Sequence, residues 1–130
     1  MNRRYALLSL ASAALALLPV AAFATAGPPF DKASFEAAQA AGKSILLHIA
    51  ATWCETCEAQ RKVLEKLETD VAFKNYVVFI IDFDTQKDVM RSFSATSRST
   101  LIAFKGKTEV GRLVGNTKLA PIKALMVKGL

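Results

Sequence analysis

Trp53-Cys54-Glu55-Thr56-Cys57 stands where an apolar run gives way to an amphipathic one, and this junction constrains the chain more than any other feature. Residues 44–51 (SILLHIAA) are an apolar stretch of strand length with little polar alternation, the pattern of a central strand buried on both faces. Residues 55–68 read as a helix: Ala59, Val63 and Leu67 recur every four residues, Leu64 widens the stripe, and Glu and Lys fill the remaining face. The two cysteines therefore bracket a helix start. A thiol there faces unpaired backbone N–H groups and the positive end of the helix dipole, which stabilise its thiolate. Cys54 is expected at the terminus and accessible, with Cys57 one turn further in and more shielded. At this spacing the two sulfurs can close a small disulfide ring. The Cys54 thiolate would attack a substrate disulfide, and Cys57 would resolve the mixed disulfide.

Two other uses of the pair stand beside this one. A structural disulfide closing so short a loop restricts little chain entropy and contributes little stability. A soft-metal site would need further ligands, and His48, inside the apolar strand, is the chain's one histidine.

No charged residue occurs between Arg4 and Asp31. A cationic start (Arg3, Arg4), an apolar run from Tyr5 to Leu18, Pro19 and the small residues of Ala22-Phe23-Ala24 make the three-part pattern of a secretory signal peptide. Cleavage is expected after Ala24, giving a signal peptide at 1–24, a linker at 25–30 and a single domain at 31–130. The protein is then periplasmic or secreted; an uncleaved membrane anchor is the competing reading. Arg3 and Arg4 supply two of the six net positive charges, so the mature chain carries +4, interspersed rather than clustered. Nucleic acid is not an expected partner. Two cysteines are too few for a disulfide-dense scaffold, and one histidine excludes a zinc-finger ligand set.

Around the junction, residues 31–41 are expected as a helix capped by Asp31 and stopped at Gly42. A short helical turn follows at 71–76, a second buried strand at 77–83 and a short helix at 86–93. A hairpin joins strands 100–104 and 109–114, and a last helix covers 119–127, with Pro121 tolerable only in its first turn. The order α-β-α-β-α-β-β-α implies a mixed central sheet covered on both faces.

Trp53–Cys57, Asp82-Phe83-Asp84, Thr100–Phe104 with Lys105-Gly106-Lys107, and Gly115 together resemble the thioredoxin-fold superfamily over residues 31–128. Phe35-Glu36-Ala37-Ala38 with Gly42-Lys43-Ser44 is similar to its exported branch, which includes the C-terminal periplasmic domain of the transmembrane thiol-disulfide interchange reductase. The resemblance implies an α/β thioredoxin fold, a three-layer α/β/α sandwich. It implies a thiol-disulfide oxidoreductase with Cys54 as nucleophile and Cys57 as resolving thiol, and no cofactor beyond that redox-active pair. Expected partners are protein thiols and disulfides of the exported compartment and a membrane-bound electron donor, with the protein itself a monomer. Trp53 would be a substrate-contact ring or a cap on the core; Thr56 and Thr100 belong to the same auxiliary set.

Three departures from the family pattern bear on mechanism. Ser99 stands where the family carries a cis-proline opposite the sulfurs. A cis bond before serine costs about 3 kcal/mol, so a trans peptide or a rearranged loop is expected, and restoring proline is expected to speed exchange. His48 aligns with the family's buried acid, either as the proton acceptor for Cys57 or as a core residue bonded to a backbone group. Glu55 places a negative charge near a developing thiolate, which disfavours the thiolate and biases the couple toward a reductant. A metal-binding module using Cys54 and Cys57 and a non-catalytic assembly partner remain the alternatives.

Overall fold

The computed structural model describes residues 27–130, so the expected signal peptide and its cleavage site lie outside the described residues. Four strands form one mixed sheet in the order β2-β1-β3-β4. These are β1 (Ser44–Ala50), β2 (Val77–Asp82), β3 (Thr100–Lys105) and β4 (Thr108–Val114). β1 runs parallel to β2 and antiparallel to β3, and β3 antiparallel to β4. The two inner strands read as apolar runs because both their faces are covered.

Alternation along β1 divides the core. Ile45, Leu47 and Ile49 face one side, with Phe35 of α1 (Lys32–Ala40) and Met90 of α3 (Lys87–Ser92). Leu46 faces the other, with Leu64 and Leu67 of α2 (Glu55–Glu68) and Ile122, Leu125 and Met126 of α4 (Leu119–Val127). This is the expected three-layer α/β/α sandwich. His48 shares the parity of Leu46 and so lies beneath α2.

Local signals explain the element ends. The Asp31 carboxylate accepts from the Ser34 N–H at 2.8 Å, and Gly42 leaves α1 with φ +68°. Pro121 is the third residue of α4, inside its first turn, where its missing N–H costs nothing. The 71–76 turn is a single 3-10 turn over Val71–Phe73.

Three expectations are corrected. The hairpin closes through two residues, Gly106 and Lys107, because Lys105 pairs with Thr108; positive φ at Gly106 alone fits a type II′ turn. The buried stripe of α2 is Cys57, Gln60, Leu64 and Leu67, rotated from the expected one, with Val63 only half-buried. Part of the expected linker is built into the fold: the Phe30 N–H donates to the Ile80 carbonyl at 2.7 Å and the Ile80 N–H to the Pro28 carbonyl at 2.8 Å. The Phe30 ring then packs among Phe35, Phe79 and Phe93.

Candidate functional site: a buried cysteine pair on a polar support

Cys54 is the N-cap of α2 and is disulfide-bonded to Cys57, with their Cα atoms 5.2 Å apart. Its Sγ accepts the Cys57 N–H at 3.1 Å, one of the donors that a helix start leaves unpaired. This is the position at which a cysteine sulfur gains most from the helix N-terminus. The expected contrast in access between the two is small: Cys54 is 5% exposed and Cys57 3%. The Ser99 loop closes over both sulfurs, so shielding is shared.

Ser99 lies against the pair, with its Oγ 3.2 Å from each Sγ. Among the described residues no peptide bond is cis, in line with the trans or rearranged backbone expected here. The rearrangement is local: Ser99 takes the left-handed conformation, φ +59°. That region disfavours a residue with a Cβ by roughly 1–2 kcal/mol. Three hydrogen bonds to its backbone groups hold it there. The Ser99 N–H donates to the Ile49 carbonyl at 2.8 Å, and the Ser99 carbonyl accepts from the Gly115 N–H and from Gln60 Nε2, each at 2.9 Å.

Gln60 is the site residue that the sequence reading misses. It is fully buried, and Nε2 spends its second hydrogen on the Asn116 carbonyl at 2.9 Å. With both amide hydrogens committed to carbonyls, Oε1 faces His48 Nε2 at 3.1 Å. The signal was its spacing: Gln60 follows Cys57 by three and precedes Leu64 by four, on the apolar face.

His48 is 1% exposed and bonds a side chain, not the backbone group expected in its structural reading. Its Nδ1 has no hydrogen-bond partner among the described residues. Burial pushes the imidazole down to about 4, against the smaller opposing effect of the Gln60 bond, so the ring is neutral at neutral pH. His48, Cys54 and Cys57 share a cleft of about 600 Å³ with Ala50, Ile80 and Arg61.

The remaining expected residues lie around the rim. Trp53 is 56% exposed; its Nε1 donates to Asp84 Oδ2 at 2.8 Å and its ring meets Phe83 edge-on at 6.2 Å. The Arg98 guanidinium carbon sits 4.9 Å over the indole. Trp53 is thus a propped surface ring rather than a core cap. Glu55 opens α2 and is exposed, and Thr56 follows it, half-buried. The Thr100 hydroxyl is committed to the Ser97 carbonyl at 2.7 Å and serves the loop, not the sulfurs. Among the described residues no group of three or more His, Cys, Asp or Glu side chains could hold a metal.

A family model described as Thioredoxin matches residues 28–128. The chain belongs to the thioredoxin family. It is 38% identical over 73 residues to a thioredoxin of Mycobacterium tuberculosis, an overlap of 56% of this chain and 62% of that one. It therefore spans about three-fifths of the length of the mycobacterial thioredoxins it matches. A thioredoxin of Echinococcus granulosus is 33% identical over 86 residues, covering 65% of this chain and 78% of that one. Among solved structures, Trxlp from Edwardsiella tarda superposes with a TM-score of 0.74 at 33% identity, over 76% of this chain and 96% of that chain. The Malassezia sympodialis thioredoxin, at 18% identity and TM-score 0.68, shares the fold, over 79% of this chain and 91% of its own.

Proposed function

We propose that this protein is an exported thiol-disulfide oxidoreductase that exchanges disulfides with other exported proteins and works as a reductant. The observation that carries the reading is the Cys54–Cys57 disulfide at the start of α2, with the Cys57 N–H directed at Cys54 Sγ. Cys54 is the nucleophile: its thiolate attacks one sulfur of a substrate disulfide, and the other leaves with the bonding pair. Cys57 then attacks Cys54 Sγ and releases the second substrate sulfur. The pair itself carries the two electrons, so no further cofactor is invoked.

Export is supported by the leader pattern of residues 1–24 and by the likeness of residues 35–44 to the exported branch. A membrane-bound electron donor would then re-reduce the pair. Reduction as the working direction is supported by Glu55, whose charge lies next to Cys54. His48 is better suited to tuning than to accepting the Cys57 proton. Moving a proton from an ordinary thiol to an imidazole held near 4 costs about 6 kcal/mol.

Insulin reduction by wild type and Cys54→Ser tests the activity: undiminished turnover in the variant would sink the mechanism. The mass of the protein recovered from an exporting host tests the leader, an intact N-terminus counting against cleavage. The equilibrium potential of the pair against glutathione tests the direction.

A further inference from the structure

Ser99 Oγ is equidistant, at 3.2 Å, from two sulfurs that react one after the other. It is 4% exposed, so little water competes for its hydrogen. A serine hydroxyl has one hydrogen and can donate to one sulfur at a time. A disulfide sulfur is a weak acceptor, whereas a thiolate is a strong one. Glycine would take φ +59° without strain, yet the chain keeps a side chain there, held by the Ile49, Gly115 and Gln60 bonds.

We propose that the Ser99 hydroxyl is a catalytic hydrogen-bond donor that serves the two sulfurs in turn, with Gln60 as the positioning residue that holds it between them. The proposal rests on the exchange chemistry described above. In the dithiol form Ser99 donates to the Cys54 thiolate beside the Cys57 N–H. Cys54 attacks the substrate disulfide, forming one S–S bond and breaking another, and the first substrate sulfur leaves as a thiolate. That thiolate takes up the proton lost by Cys57. The Ser99 hydroxyl, freed from a sulfur that has become neutral, turns to the new Cys57 thiolate. Cys57 then attacks Cys54 Sγ, and the second substrate sulfur leaves with its electron pair and is protonated by water. Substrate disulfide and protein dithiol have become substrate dithiol and protein disulfide.

The hydroxyl is removed in full-length reduced Ser99→Gly, which keeps the backbone conformation available. Ser99→Ala carries the same test should the glycine variant not fold. Thiolate ultraviolet absorbance followed against pH reads the Cys54 equilibrium without any substrate. The expected result is about tenfold less thiolate at a given pH below the midpoint. In stopped-flow reaction with an aromatic disulfide, the variant should also accumulate mixed disulfide that wild type does not. Gln60→Met should shift the titration in the same direction and add nothing in the Ser99→Gly background, a non-additivity that simple loosening of the fold would not produce. A folded hydroxyl-free variant with the wild-type titration overturns the proposal. A shifted titration in a protein that reduces no insulin leaves the hydrogen bond standing and overturns the exchange reading instead.

Discussion

Gln60 Oε1 lies 3.1 Å from His48 Nε2, and because the Gln60 amide gives both its hydrogens to backbone carbonyls, the imidazole must be the donor. His48 therefore carries its proton on Nε2 and leaves Nδ1 unprotonated. In the folded protein the ring sits near 4, against about 6.5 when exposed. A depressed folded value means that the unfolded chain binds the extra proton first. The stability associated with a neutral His48 is complete above pH 6.5 and is lost as pH falls toward 4, by about 3 kcal/mol in all. Nitrogen NMR should show the neutral Nε2–H tautomer down to pH 5. Urea midpoints should fall more steeply over pH 6.5–4 in wild type than in His48→Leu.

Removing Gln60 alone should be expensive. Gln60→Met strands the His48 Nε2–H and takes a donor from the buried Ser99 carbonyl and the part-buried Asn116 carbonyl, so a loss of about 2–4 kcal/mol is expected from denaturant unfolding. Adding His48→Leu removes one of the stranded groups. The double variant should then be more stable than the sum of the two single losses predicts.

Ser99→Pro reverses the expectation drawn from sequence. Proline cannot take φ +59°, and it lacks the N–H that Ser99 gives to the Ile49 carbonyl. The variant is expected to lose about 3 kcal/mol or more and to exchange more slowly, not faster. Thermal unfolding and the insulin assay check both parts.

Trp53 precedes Cys54 in the chain and is fixed by Asp84, Phe83 and Arg98 while more than half exposed. A large ring held rigid at a surface is suited to contact with another protein. Trp53→Ala should slow reduction of insulin about tenfold while leaving reduction of a small aromatic disulfide within about twofold. Equal losses on both substrates would assign the ring to the pair itself.

Glu55 is the first residue of α2, a position where proline fits without loss of a helical hydrogen bond. Glu55→Pro should therefore leave the fold intact and remove one negative charge beside Cys54. The potential should rise, by on the order of 10–30 mV. An unchanged or lower potential would show that solvent screens the Glu55 charge.

The layers of the sandwich were legible because they rest on periodicity and caps. Residues 44–51 and 77–83 are mostly apolar because both faces of β1 and of β2, an edge strand, are covered, and Asp31, Gly42 and Pro121 mark helix ends by their own local chemistry. The hairpin loop came out shorter than expected because Lys105 and Thr108 are polar residues that pair at an exposed strand end. The α2 stripe departs from the apolar pattern because Gln60 is buried and polar. Apolar counting assigns such a residue to solvent, and only its three partners, from β1, the Ser99 loop and Asn116, make its burial tolerable.

The sequence by itself determined the order of elements and the cysteine pair at a helix start, since each depends on residues close together along the chain, and the mixed sheet is implied by that order. Tertiary structure alone decided the surroundings of the sulfurs. Ser99 is 45 residues from Cys54, Gln60 is 12 from His48 and 39 from Ser99, and their contacts exist only after β1, α2 and the loop before β3 have packed. A left-handed serine and an inward-facing glutamine violate local preference. They persist because backbone hydrogen bonds formed at long range outweigh it.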